Sequence, residues 1–165
     1  MSELFRFPNP VNEKAARTVA GVVALTSLLA LVTGWLWLLV PLAYGFVARA
    51  LTGPTLSPLG RLAMNHVAPR LGEPNYTAGP PKRFAQVIGA VCTTLGAIFV
   101  VGFGWDTGAE VILGMMVVFA TLESAFALCV GCKLFALGMR LGVVPAEVCE
   151  ECNNIWARIP RPESA

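Results

Sequence analysis

AARTVAGVVALTSLLALVTGWLWLLVPLAYGFVARAL, residues 15–51, decides the fold. It holds two apolar stretches, about Ala15 to Val32 and about Trp35 to Leu51, parted only by Thr33 and Gly34. Two more follow, about Phe84 to Phe103 and about Val111 to Cys132. Each is about 17–22 residues long, and at about 1.5 Å per residue it covers most or all of a hydrocarbon core about 30 Å thick. Lipid offers backbone groups no hydrogen-bond partner, so such stretches are expected to be helices. The first is not read as a signal peptide: no small-x-small cleavage site follows, and the second stretch begins at once.

Composition agrees. The chain has 165 residues, 56% hydrophobic and only 13% charged, about half the usual charged share. Such a length points to one domain. Its surplus apolar surface needs an apolar neighbour, and a lipid bilayer is the simple one.

The placement of charge gives the orientation. All 12 Lys and Arg residues fall on one side of a four-helix arrangement. Arg6, Lys14 and Arg17 come before or at the start of the first helix. Arg49, Arg61, Arg70, Lys82 and Arg83 surround the second connection, and Lys133, Arg140, Arg158 and Arg161 follow the fourth helix. Basic residues stay cytoplasmic, so both termini are expected inside. Trp35, Trp37 and Trp105 fall on the two other connections, as an outer aromatic belt would.

The long connection from Gly53 to Lys82 contains Ser57-Pro58, a good helix start. Leu59, Leu62, Ala63 and His66 follow at helical spacing, and Pro69 ends the run. This predicts a short amphipathic helix on the inner membrane surface. The architecture expected is therefore all-α: an integral membrane four-helix bundle in one domain, residues 1–152. Its helices lie at about 15–33, 35–52, 84–103 and 110–132. A cysteine-rich cytosolic helical hairpin covers 129–152, and a polar tail covers 153–165.

Four of the 5 cysteines form two C-x-x-C pairs, Cys129/Cys132 and Cys149/Cys152, separated by 16 residues. On the cytosolic side stable disulfides are disfavoured. Residues i and i+3 share a helix face. Gly142 and Pro145 can end one helix and start another, bringing the pairs together. Three readings stay open. The four thiols can act in thiol-redox or sulfur-relay chemistry, with Lys133 favouring a thiolate on Cys132. They can form a four-cysteine zinc site or hold an iron–sulfur cluster, since the spacing suits both. Or they merely pack.

Glu123 is the one acid well inside an apolar stretch, where an acid needs a partner or a polar cavity. Its candidate roles are a proton relay, an ion site or a structural hydrogen bond. A transport role would require a homo-oligomer. Cys92 in the third helix reads as a packing residue that could extend a thiol path. His66 is not expected to join the cysteines. Gly89, Thr93 and Ala97 form a small-residue stripe for close helix packing. There is no phosphate loop, nucleophile elbow, dinucleotide fingerprint or nucleic-acid stripe.

FPNPVNEKAAR (Phe7 to Arg17), the two apolar helices after it, and the ending ALCVGCKLF…CEEC resemble a bacterial membrane family catalogued as domain of unknown function 4395. The resemblance extends from about Phe7 to Cys152. It implies an integral protein of the bacterial cytoplasmic membrane, without an established activity or cofactor. It also points to soluble thioredoxin-like or rhodanese-like partners, which favours thiol chemistry.

Overall fold

Asn12 starts the first helix. Its side chain accepts the Lys14 N–H at 3.0 Å, and Glu13 lies in the first turn beside the positive helix end. The computed structural model describes residues 7–145 and 147–148. From Asn12, α1 (Glu13–Thr33) runs to Gly34, which ends it at φ +70°. A 3-10 turn, Leu36–Leu38, leads directly into α2 (Leu39–Thr52).

Ser57 caps α3 (Pro58–Leu62), accepting the Gly60 N–H at 3.2 Å, with Pro58 in the first turn. A π-helical turn, Ala63–Val67, and a 3-10 turn, Ala68–Leu71, prolong it. The expected surface helix is thus present, but its inward face is Gly60, Ala63 and Ala68, turned toward α1. Leu62 and His66 point outward.

The opening motif does more than cap a helix. β1 (Val11–Asn12) pairs antiparallel with β2 (Tyr76–Thr77), Val11 opposite Thr77. Glu13 N–H donates to Asn75 O at 2.7 Å, and the Asn9 side chain accepts Gly79 N–H at 3.0 Å. Residues 9–13 therefore hold the long connection against the bundle and position the start of α4.

α4 (Gly79–Ile98) continues as a π-helical turn, Phe99–Phe103, and α5 (Asp106–Phe126) follows. α4 begins before the expected Phe84 because Pro80 and Pro81 fit a first helical turn, and Lys82 and Arg83 are helical too. Charge had suggested a loop there. α1 packs along α5, and α2 along α4. The small stripe on α4 permits the second contact. The Phe46 ring occupies the place of a Gly89 side chain, and the Thr93 hydroxyl is satisfied by Gly89 O at 2.6 Å.

Three helices are long and apolar enough to cross a membrane: Glu13–Thr33, Gly79–Phe103 and Asp106–Phe126. The Leu36–Thr52 helix is apolar but shorter. Leu25, Val32, Val91, Val101 and Val118 turn outward from these helices. That surface suits lipid and is poorly suited to water.

Candidate functional site: a dithiol above a buried ion pair

The fourth apolar stretch is not one helix. α5 stops at Phe126, where Ala127 adopts φ +56°, the one non-glycine positive φ among the described residues. Leu128 N–H returns to Leu122 O at 3.1 Å, closing the helix end. Arg17, on α1, donates to Ser124 O at 3.0 Å and Ala125 O at 3.2 Å. Three of the last carbonyls of α5, those of Leu122, Ser124 and Ala125, are thus satisfied, and the helix expected to reach Cys132 ends before it.

A new helix, α6 (Val130–Arg140), begins with Cys129 as its cap. Cys129 Sγ accepts the backbone N–H of Cys132 at 3.4 Å. Cys129 therefore occupies the positive end of a helix, while Cys132 lies in its first turn. The pair remains together, as expected, but as cap and first turn rather than as neighbours on one membrane helix. Gly131 lets α6 approach α4: a Cβ on it would fall 2.5 Å from Ala85 Cβ. Phe84 and Phe135 stack at 5.7 Å between ring centroids and extend this contact.

Beneath the pair lies an ion pair. Lys82 Nζ donates to Glu123 Oε1 at 2.6 Å, with side chains only 8% and 16% exposed. Glu123 thus has the partner its burial requires. Beside it, buried Arg49 donates to Gln86 Oε1 at 2.9 Å and Ser57 Oγ at 3.3 Å, and lies over the Phe46 ring.

The two thiols differ. Cys129 is drawn below an ordinary cysteine, first by the hydrogen bond from the Cys132 thiol, against burial and Glu123 and with help from Lys82. Cys132 is pushed up, first by donating that hydrogen bond and then by burial. A single negative charge on the pair therefore resides on Cys129. Cys129 is buried and Cys132 is half-buried. A buried thiolate at a helix start with a second thiol in the first turn is chemically fit for disulfide exchange.

Cys129, Glu123, Arg49 and Gln86 also line one cavity of about 130 Å³, otherwise walled by apolar side chains of α1, α2, α4, α5 and α6. Cys92 is not in its wall. It packs against the core, about 15 Å along α4 from Lys82. Asp106 and Glu110 are exposed at the other end of α5.

Cys149 and Cys152, at the far end of the 129–152 hairpin that was to unite the two pairs, lie outside the described residues, as does the tail from 153. Gly142, at φ +73°, follows the end of α6 as expected. Among the described residues no three His, Cys, Asp or Glu side chains gather to hold a metal. Cys129 and Cys132 supply two thiolates, so a four-cysteine zinc or iron–sulfur site needs two ligands beyond them. Lys82, Arg49 and Gln86 were not foreseen as site residues. The signal for Lys82 was Glu123 itself, because an acid at membrane depth calls for a cation at the same depth.

No curated protein and no solved structure matches the chain. A family model described as Domain of unknown function (DUF4395) matches residues 11–140, a span that includes Cys129, Cys132, Lys82 and Glu123 and stops before Cys149. The chain belongs to the DUF4395 family.

Proposed function

We propose that this chain is a membrane thiol-redox or sulfur-relay protein whose working pair is Cys129 and Cys132. The observation that carries this reading is the placement of Cys129 Sγ at the start of α6, hydrogen-bonded to Cys132. In this reading four helices span the cytoplasmic membrane of a bacterium, both termini are cytoplasmic, and the dithiol meets a soluble thioredoxin-like or rhodanese-like protein. Cys132, the more accessible sulfur, takes the incoming thiolate. Cys129 leaves as the better-stabilised thiolate, since a more acidic thiol leaves faster. Glu123, held by Lys82, is the proton-handling group of the site. Cys149 and Cys152 serve as a second dithiol that passes electrons or sulfur to the first. The other reading, a scaffold with a four-cysteine zinc or iron–sulfur site, uses the same four thiols as ligands.

Trapping tests the exchange. With Cys149 and Cys152 replaced by Ser, a Cys129→Ser chain mixed with the disulfide form of a soluble dithiol protein is expected to accumulate a mixed disulfide through Cys132, releasing the partner's other sulfur as a thiol, while Cys132→Ser does not. Equal trapping by both variants, or by neither, overturns the assignment. One metal ion per chain that shields all four thiols from alkylation favours the scaffold.

A further inference from the structure

The cavity beside Cys129 asks what receives the electrons of the dithiol. Its wall runs along α1 from Ala16 to Val23, about 10 Å into the apolar depth of the bundle. The outward-facing residues in that wall are Phe119 and Leu134, both apolar. Its opening therefore suits a ligand arriving from lipid. The volume, about 130 Å³, is close to that of a cavity that holds one benzene ring, about 150 Å³. Three polar residues besides Cys129 interrupt the apolar lining: buried Arg49 and half-buried Gln86 and Glu123, the last held by Lys82. Arg49 spends two donors on Gln86 and Ser57 and keeps others. Gln86 accepts from Arg49 through its oxygen, which leaves its amide N–H groups to donate.

We infer that the cavity takes the ring of a lipid-soluble quinone, with Arg49 and Gln86 donating to a ring carbonyl and Cys129 Sγ facing the ring. This inference rests on the dithiol reading above and names the acceptor for that same site. The Cys129 thiolate adds to a ring carbon and forms a C–S bond. The Cys132 thiolate then attacks Cys129 Sγ, so an S–S bond forms as the C–S bond breaks. The electron pair of that bond enters the ring. The two protons given up by the thiols end on the two quinone oxygens. The dithiol is oxidised by two electrons and the quinone is reduced to hydroquinone. Cys132 is not in the cavity wall, which fits its role as the resolving thiol.

The test uses the full chain in mild detergent with Cys149 and Cys152 replaced by Ser, reduced anaerobically and freed of reductant. The probe is a short-tailed ubiquinone analogue, followed by loss of quinone absorbance, with disulfide counted by alkylation and mass spectrometry. One hydroquinone per Cys129–Cys132 disulfide is expected. Cys129→Ser should slow the reaction at least 100-fold, and Gln86→Leu should raise KM more than it lowers kcat. Cys132→Ser should accumulate the covalent adduct between Cys129 and the quinone, seen by mass spectrometry, which Cys129→Ser lacks. A chain that exchanges readily with a soluble dithiol yet leaves the quinone oxidised overturns this inference and spares the dithiol reading. A chain inert to both overturns both.

Discussion

Replacing Lys82 by Met strands Glu123. At 2.6 Å and an effective dielectric of about 20, Coulomb's law gives this pair about 6 kcal/mol of attraction. Taking both charges out of water offsets much of that, so the net value of the pair is small. Breaking it from one side is different, because the remaining charge stays buried alone at a cost of about 3–5 kcal/mol. Lys82→Met and Glu123→Gln should each lower the folding equilibrium constant by about 10²- to 10⁴-fold. The double variant should recover to within about 1 kcal/mol of the parent, since it removes both charges. Unfolding by a denaturing detergent, titrated on all four proteins in the same micelles, reads this cycle. Two single losses under about 1 kcal/mol that simply add in the double variant would show that the two groups do not share a buried ion pair.

The remaining predictions concern the dithiol and its supports. Cys129 should alkylate with a midpoint below that of an ordinary thiol, about 8.5, and Cys132 well above it, as residue-resolved mass spectrometry across pH would show. Because folding lowers the Cys129 value, its stabilising contribution is present above the unfolded thiol value and is lost as pH falls through the folded one. Lys82→Met should move the Cys129 midpoint upward. Gly131→Ala should cost about 1–3 kcal/mol by pushing α6 off Ala85, and Ala85→Gly in the same chain should return little of it, because the Ala85 Cα still lies 2.6 Å from the new Cβ. Ala127→Gly should raise stability by up to about 1 kcal/mol by relieving its left-handed backbone, without moving the Cys129 midpoint.

The apolar stretches disclosed α1, α2, α4 and α5 because lipid demands continuous helices, and Ser57-Pro58 disclosed α3 through capping chemistry. What misled was reading apolarity as continuity. Residues 111–132 are apolar apart from Thr121, Glu123 and Ser124, yet α5 ends at Phe126, where Arg17, more than a hundred positions away, donates to two of its last carbonyls. No local pattern records that contact. The same break turns Cys129 from a residue near a helix C-terminus into a helix cap, which reverses the sign of the helix dipole acting on it. Spacing alone singled out the cysteine pair, and the cost of burying Glu123 marked it as a candidate that needs a partner. Their meeting with Lys82 and Arg49 arises from the packing of α4 between α2 and α5, a long-range property that periodicity does not encode. The Phe7–Arg17 motif was legible as a cap, while its pairing with residues 75–79 needed the folded chain.

The most direct measurement is an anaerobic redox titration of the detergent-solubilised chain with Cys149 and Cys152 replaced by Ser, read by alkylation of Cys129 and Cys132. The account predicts that the two thiols disappear together as one two-electron couple, with a midpoint between about −270 and −120 mV, the range of dithiol exchangers. Thiols that oxidise independently, or that never pair across the whole range, would contradict it.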